Sequence, residues 1–286
     1  MSARFPAAVV LATLLAVITS ALPAQATAKP RKTGRAAQTA SPVWADEFAG
    51  PAGAPPAATR WVAEVGGGGW GNQELQSYTA RPQNAALDGA GHLAITARRE
   101  TYTGPDGITR DFTSARLITK GRFTFRYGRV DARIKVPAGT GLLAQFWALG
   151  DDVWDVGWPE SGEIDVMEVL GGRPRAVVGS LHGPLDNGVA WASWARNTET
   201  VAPTSLAAGY HTYSATWSAT SISMALDGKT YASYTPADVP AGGRWVFDKP
   251  FFLVLNLAVG GVWPGAPAAA TAFPARMLVD WVRVSA

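Results

Sequence analysis

From Val43 onward the chain is a succession of short runs rich in β-branched and aromatic residues, separated by clusters of Gly, Pro, Asp and Asn. That rhythm is the signature of many strands joined by turns, because branched and aromatic side chains suit a pleated surface while the punctuating residues suit chain reversal. The clearest runs are HLAITARR (92–99), GRFTFRYGRVDARIKV (121–136), GEIDVMEV (162–169), YHTYSATWS (210–218), SISMALDGKTYASY (221–234) and MLVDWVRVS (277–285). Within SISMALDGKTYASY, Asp227-Gly228 lies between alternating flanks and predicts a tight hairpin. No amphipathic helix longer than two turns is visible, and no repeat of roughly 20–50 residues. With no helical layer to cover a sheet, the strands must cover one another. The expectation is an all-β sandwich of two antiparallel sheets, forming one domain over 43–286.

The first 42 residues read differently. Arg4 precedes an uncharged apolar run from Phe5 to Ile18, and Ala24-Gln25-Ala26 has the small-x-small pattern of a signal peptidase site. That run is too short to span a bilayer. Residues 1–26 are therefore expected to be a cleaved secretory signal and 27–42 a disordered linker, with the mature protein secreted and free of membrane. Position also disposes of the basic pI of 9.3. Five of 25 basic residues (Arg4, Lys29, Arg31, Lys32, Arg35) and no acidic ones precede residue 46, which leaves 20 basic against 22 acidic, a net of −2. A nucleic-acid partner needs its positive charge on the folded domain, so an uncharged ligand is expected instead. The absence of cysteine excludes disulfides, thiolate catalysis and Cys-based zinc sites.

The segment from Trp158 to Val169 (WPESGEIDVMEV) is the most informative. Side chains alternate along a strand, so Glu163 and Asp165 share one face while Ile164 and Val166 share the other. Strict alternation would then turn Glu168 into the core, where an unpaired carboxylate is costly. One extra residue at Val166-Met167, a β-bulge, restores the phase and brings Glu168 round to Glu163 and Asp165. No basic residue occurs between 153 and 172 to neutralise three carboxyls. Carboxyls converging in this way suit glycosidic cleavage, in which one attacks or stabilises the anomeric carbon and a second, still protonated, donates to the leaving oxygen. Asp165, between them, would share a proton and help to raise one pKa.

GEIDVME preceded by WPESG resembles the active-site strand of glycoside hydrolase family 16, in the bulged form of its laminarinase (endo-β-1,3-glucanase) branch. WADEF (44–48), GGWGNQELQSYT (68–79), FTSARLITKGRFTFRYGRVDARIKVPAGTG (112–141), LHGP (181–184), FFLVLNLAVGGVWPG (251–265) and MLVDWVRV (277–284) are similar to family segments in the same order. The resemblance implies a β-jelly-roll with a concave substrate cleft and a retaining mechanism. Glu163 would be the nucleophile, Glu168 the general acid/base and Asp165 the supporting carboxylate. It further implies a structural calcium at Glu47, Gly91 and Asp280, and no cofactor for catalysis.

A saccharide groove pairs aromatic platforms with hydrogen-bonding side chains. Trp158 is expected beside the cleavage point, with Trp70, Trp147 and Trp263 as further platforms or as core. Asn72, Glu74 and Gln76 alternate and would line one face, or else Asn72 and Gln76 are loop or edge residues. Arg116 matches a family position near the groove or else makes a structural salt bridge, and His182 in LHGP is expected to approach Glu168. Two stretches depart from the family pattern. Leu143 and Gln145 replace an aromatic and a small residue, and LDNG (185–188) replaces a Gly-Tyr-Ser run. The expected activity is endo-hydrolysis of β-1,3-glucan by a monomer. The alternatives are another β-linked polymer (mixed-linkage glucan, β-1,3-galactan or an agar-type galactan), transglycosylation, or a carbohydrate-binding protein without catalysis.

Overall fold

The computed structural model describes residues 42–286; the expected signal segment and all but the last residue of the expected linker lie outside the described residues. Two sheets form a jelly-roll sandwich. The larger has ten strands. Eight follow one another in space: Lys229–Tyr234, Ile222–Leu226, His211–Trp217, Gly128–Lys135, Ala275–Ser285, Leu93–Thr103, Thr109–Ser114 and Gln76–Tyr78. Trp44–Asp46 and Ala85–Leu87 pair alongside Ala275–Ser285 and Leu93–Thr103. The smaller has seven, in the order Ser193–Val201, Ala176–Pro184, Glu163–Leu170, Leu142–Gly150, Phe251–Val259, Arg116–Ile118 and Val62–Glu64. Pairing is antiparallel except between Gln76–Tyr78 and Thr109–Ser114, which run parallel.

The main core lies between the sheets. Ile164, Val166, Met167 and Phe146 from the seven-stranded sheet meet Ile134, Tyr213, Met277 and Val282 from the other. Each such buried aliphatic or aromatic side chain contributes about 1.5–3 kcal/mol by leaving water. A second, smaller cluster of Ile118, Trp147, Leu149, Phe252 and Val254 packs on the opposite face of the seven-stranded sheet. The strand Phe251–Val259 is therefore covered on both sides and buried at every position, which is why its sequence, FFLVLNLAV, is apolar throughout except for Asn256. At the expected hairpin Asp227 and Gly228 have φ of 50° and 80°. Both lie in the left-handed region that a two-residue turn of this hand requires.

Candidate active site

The site is built on the outer face of the seven-stranded sheet, and the register shows how. Glu163 and Asp165 oppose Leu149 and Trp147 on one neighbouring strand and His182 and Ser180 on the other. The register then slips: Asp165 pairs with Trp147 and Met167 with Phe146, so Val166 is the extra residue. Glu168 consequently opposes Gln145 and Val178. Residues 145, 147 and 149 alternate onto one face of their strand, as do 178, 180 and 182 of theirs. Directly paired residues share a face, so Glu163, Asp165 and Glu168 project together. Val166 and Met167 both enter the main core. The bulge thus exchanges a buried carboxylate for a second buried apolar side chain.

Each carboxyl has a distinct environment. Glu163 is half-buried and accepts a hydrogen bond from Trp158 Nε1 at 2.8 Å. Asp165 is wholly buried, and neither of its oxygens meets an N–H or O–H donor in hydrogen-bonding geometry. His182 Nε2 lies 3.2 Å from its Oδ2. Burial, followed by the charges of Glu163 and Glu168 and a hydrogen bond to Glu163, pushes the Asp165 carboxyl well above its ordinary range. Asp165 is thus held toward its protonated form beside Glu163. Glu168 accepts from Gln145 Nε2 at 3.1 Å and from Ser180 Oγ at 3.2 Å. Burial, and then the charge of Glu163, raise it to about 7 against the lowering effects of His182, Gln145 and Ser180. A protonated acid beside an attacking carboxylate is what glycosidic cleavage needs.

Two exposed indoles flank the carboxyls. Trp158, 40% exposed, stands at the Glu163 end. Trp263, 42% exposed, lines a small cavity with Glu168, Arg173, Val178 and Glu199 at the other. Trp147, Arg116 and Glu74, also candidates for the groove, are engaged by protein partners. Trp147 is buried: its Nε1 donates to Asn256 Oδ1 at 2.7 Å and Arg116 covers its ring, so it is floor and not platform. Arg116 pairs with Glu64 and lies 4.8 Å and 4.6 Å from the ring centroids of Trp70 and Trp147, which makes it structural. Glu74 is buried and accepts from Gln76 Nε2 at 2.6 Å and from Tyr78 Oη at 3.1 Å. His182 stands with Nε2 3.2 Å from Asp165 Oδ2 and near enough to Glu168 to lower its pKa, as expected. Asn72 sits in the turn before Gln76–Tyr78, where its backbone oxygen accepts from Val262 N at 2.8 Å. That bond ties the turn to the loop carrying Trp263.

Several contributors went unread in the sequence. Ser180 is two residues before His182, so alternation alone would have put it on the site's face. Trp191, 67% exposed, lies so close over Gly157 that a Cβ there would stand 2.8 Å from its ring. Gly157 also has φ of 78°, so the approach of this indole to the Trp158 end depends on glycine.

The family model described as "Glycosyl hydrolases family 16" matches residues 72–283. The chain belongs to family 16. Within the family it is 40% identical, over 250 residues, to a beta-glucanase of Rhodothermus marinus, a match covering 85% of this chain and 84% of that protein. The solved structure of an endo-β-1,3-glucanase from Pyrococcus furiosus superposes with a TM-score of 0.77 at 41% identity, covering 86% of this chain and 95% of the other. The catalytic domain of an endo-1,3-β-glucanase (laminarinase) from Thermotoga petrophila gives 0.78 at 38%, covering 86% and 97%. As a family 16 member the chain is a glycoside hydrolase.

Of the three positions that the family resemblance assigns to calcium, Glu47 gives both carboxylate oxygens to Arg283, at 2.7 Å and 3.0 Å. Its carboxylate is thus engaged by a guanidinium. Asp280 is wholly buried at the register slip in Ala275–Ser285, with Oδ2 accepting from Arg133 Nη1 at 2.6 Å and Oδ1 3.7 Å from His92 Nε2. A carboxylate and a backbone carbonyl are oxygen donors of the kind that a hard cation favours.

Proposed function

We propose that this chain is a secreted, monomeric endo-β-1,3-glucanase that hydrolyses its polymer with retention of anomeric configuration. One observation carries this reading: the bulge puts Glu163, Asp165 and Glu168 on one face, with Glu168 raised and Glu163 held by an indole N–H. The names of the relatives supply the linkage. Glu163 attacks the anomeric carbon while Glu168 gives its proton to the glycosidic oxygen, so the C–O bond breaks and a neutral sugar departs. Trp158 holds the nucleophile in line through its indole N–H, with Asp165 beside it. A glycosyl ester on Glu163 remains. Glu168, now a carboxylate, takes a proton from water, whose oxygen attacks the same carbon and frees Glu163. The exposed rings of Trp158 and Trp263 would stack on sugar faces either side of the cleaved bond, as aromatic groove linings do.

Incubation with laminarin, lichenan, agarose and β-1,3-galactan tests the substrate. Laminarin is expected to give reducing ends, with short oligosaccharides appearing before glucose. Cleavage of a galactan with laminarin untouched would overturn the linkage.

A structural calcium held by Asp280 and the Gly91 carbonyl belongs to the same proposal. It would tie the turn before Leu93–Thr103 to the last strand and takes no part in the reaction. A ligand at about a hundredfold its dissociation constant adds about 2.7 kcal/mol. For a domain of this size EDTA is then expected to lower Tm by roughly 5–10 °C. An unchanged Tm would remove the ion from the proposal.

A further inference from the structure

Beneath the carboxyls a row of buried and half-buried side chains is joined end to end, and its hydrogen bonds have only one possible polarity. An indole nitrogen only donates, so the 2.7 Å contact from Trp147 Nε1 identifies the oxygen of the Asn256 amide. Asn256 must then present its nitrogen the other way, where Nδ2 meets Gln145 Oε1 at 2.7 Å and Tyr78 Oη at 3.0 Å. Because Gln145 Oε1 is accepting, Gln145 Nε2 faces Glu168 Oε1 at 3.1 Å. The far end is fixed in the same manner. The backbone N–H of Val259 donates to Gln76 Oε1 at 2.7 Å, so Gln76 Nε2 donates to Glu74, and Tyr78 Oη donates to the same carboxyl.

Register explains why these groups meet. Glu168, Gln145, Asn256 and Arg116 are cross-strand partners in one row across the sheet. Asn256 is the one amide in a strand that is otherwise apolar, and it is buried. A buried amide is tolerated when its bonds are satisfied, and here they are satisfied by groups that lead to the acid.

We propose that Gln145 is a positioning residue for Glu168, its amide locked by Trp147 through Asn256 so that an N–H, and never a carbonyl oxygen, faces the acid/base carboxyl. The lock selects against the flipped amide, which would set two acceptors against each other once Glu168 is ionised. It also places Glu168 Oε1 while Ser180 holds Oε2. Other charged or titratable groups facing Glu168 are Glu163 and Asp165 on its own strand, His182 on the next, Arg173 and Glu199 across the small cavity, and Tyr231 behind the sheet.

This inference rests on Glu168 being the acid, so the test includes Glu168→Gln in parallel. The readout is the alkaline limb of the pH profile of kcat/KM on laminarin. Gln145→Met keeps the length of the side chain and removes the N–H. Losing one donor to the charged form is expected to move that limb upward by about half a unit to one unit, and to lower kcat with little change in KM. Trp147→Phe is expected to move it the same way alone and to add nothing in the Gln145→Met background. A limb that stays in place in Gln145→Met while KM rises would make Gln145 a sugar contact and overturn the proposal. Equal shifts from Trp147→Phe in both backgrounds would overturn the lock. Should the alkaline limb persist in Glu168→Gln, the assignment of the acid itself fails, whatever Gln145 does. Gln145 is partly exposed, and an unchanged Tm in Gln145→Met keeps its result interpretable even if Trp147→Phe does not fold.

Discussion

Glu163→Gln is expected to lower kcat on laminarin by about 10⁴-fold or more, the scale seen when a member of a covalent catalytic group is removed, while circular dichroism and Tm hold. The amide is nearly isosteric, and its oxygen still accepts from Trp158 Nε1, which donates to Glu163 at 2.8 Å. What is lost is the negative oxygen that attacks carbon. The substitution also removes a charge from beside two raised carboxyls. Glu163 contributes to holding up both Asp165 and Glu168, so in the variant both are expected to ionise more easily. Burying fewer like charges costs the fold less, and the Tm is expected to stay level or rise. Activity within tenfold of the wild type would remove Glu163 from its role.

Glu168→Gln is expected to reduce laminarin cleavage by roughly 10²–10⁴-fold, the usual contribution of a positioned proton donor. The loss is selective. An aryl glycoside whose phenolate leaves without protonation still forms the glycosyl ester, so a burst of phenolate is expected, followed by slow turnover. In the wild type, kcat/KM is expected to fall as pH rises past about 7, where Glu168 loses its proton, and the variant has no such limb. The same group acts on stability. Its folded pKa lies above the unfolded value of about 4.3, so between that pH and about 7 the native state binds the extra proton and stability declines as pH rises. The variant is therefore expected to melt above the wild type at pH 8 and close to it near pH 4.

The fold and the strand bearing the carboxyls were legible because each rests on a local rule. Alternation fixes which residues of GEIDVMEV share a face, and the cost of a carboxylate in the core requires the slip at Val166-Met167. Asp227-Gly228 is read equally locally. Trp147, Arg116 and Glu74 were not, because their surroundings are set by pairing between distant segments. Arg116 meets Glu64 across adjacent strands, 52 residues apart in sequence. Asn256 opposes both Gln145 and Arg116. Trp147 lies on the outer face, but that face carries its own apolar cluster, and an outward side chain there is still buried. Asn256 left a visible trace, as the one amide in FFLVLNLAV. Such a residue in a doubly covered strand implies a buried bonding network, whose members only the register reveals.

Double displacement at Glu163 inverts the anomeric centre twice, and a single attack by water inverts it once. Proton NMR of the first sugar released from a laminarin oligosaccharide, recorded before mutarotation, distinguishes the two. The β-anomer is expected to appear first, with the α-anomer growing in afterwards; an initial α-anomer would contradict catalysis by a nucleophilic Glu163 and an acid Glu168 on one bulged strand.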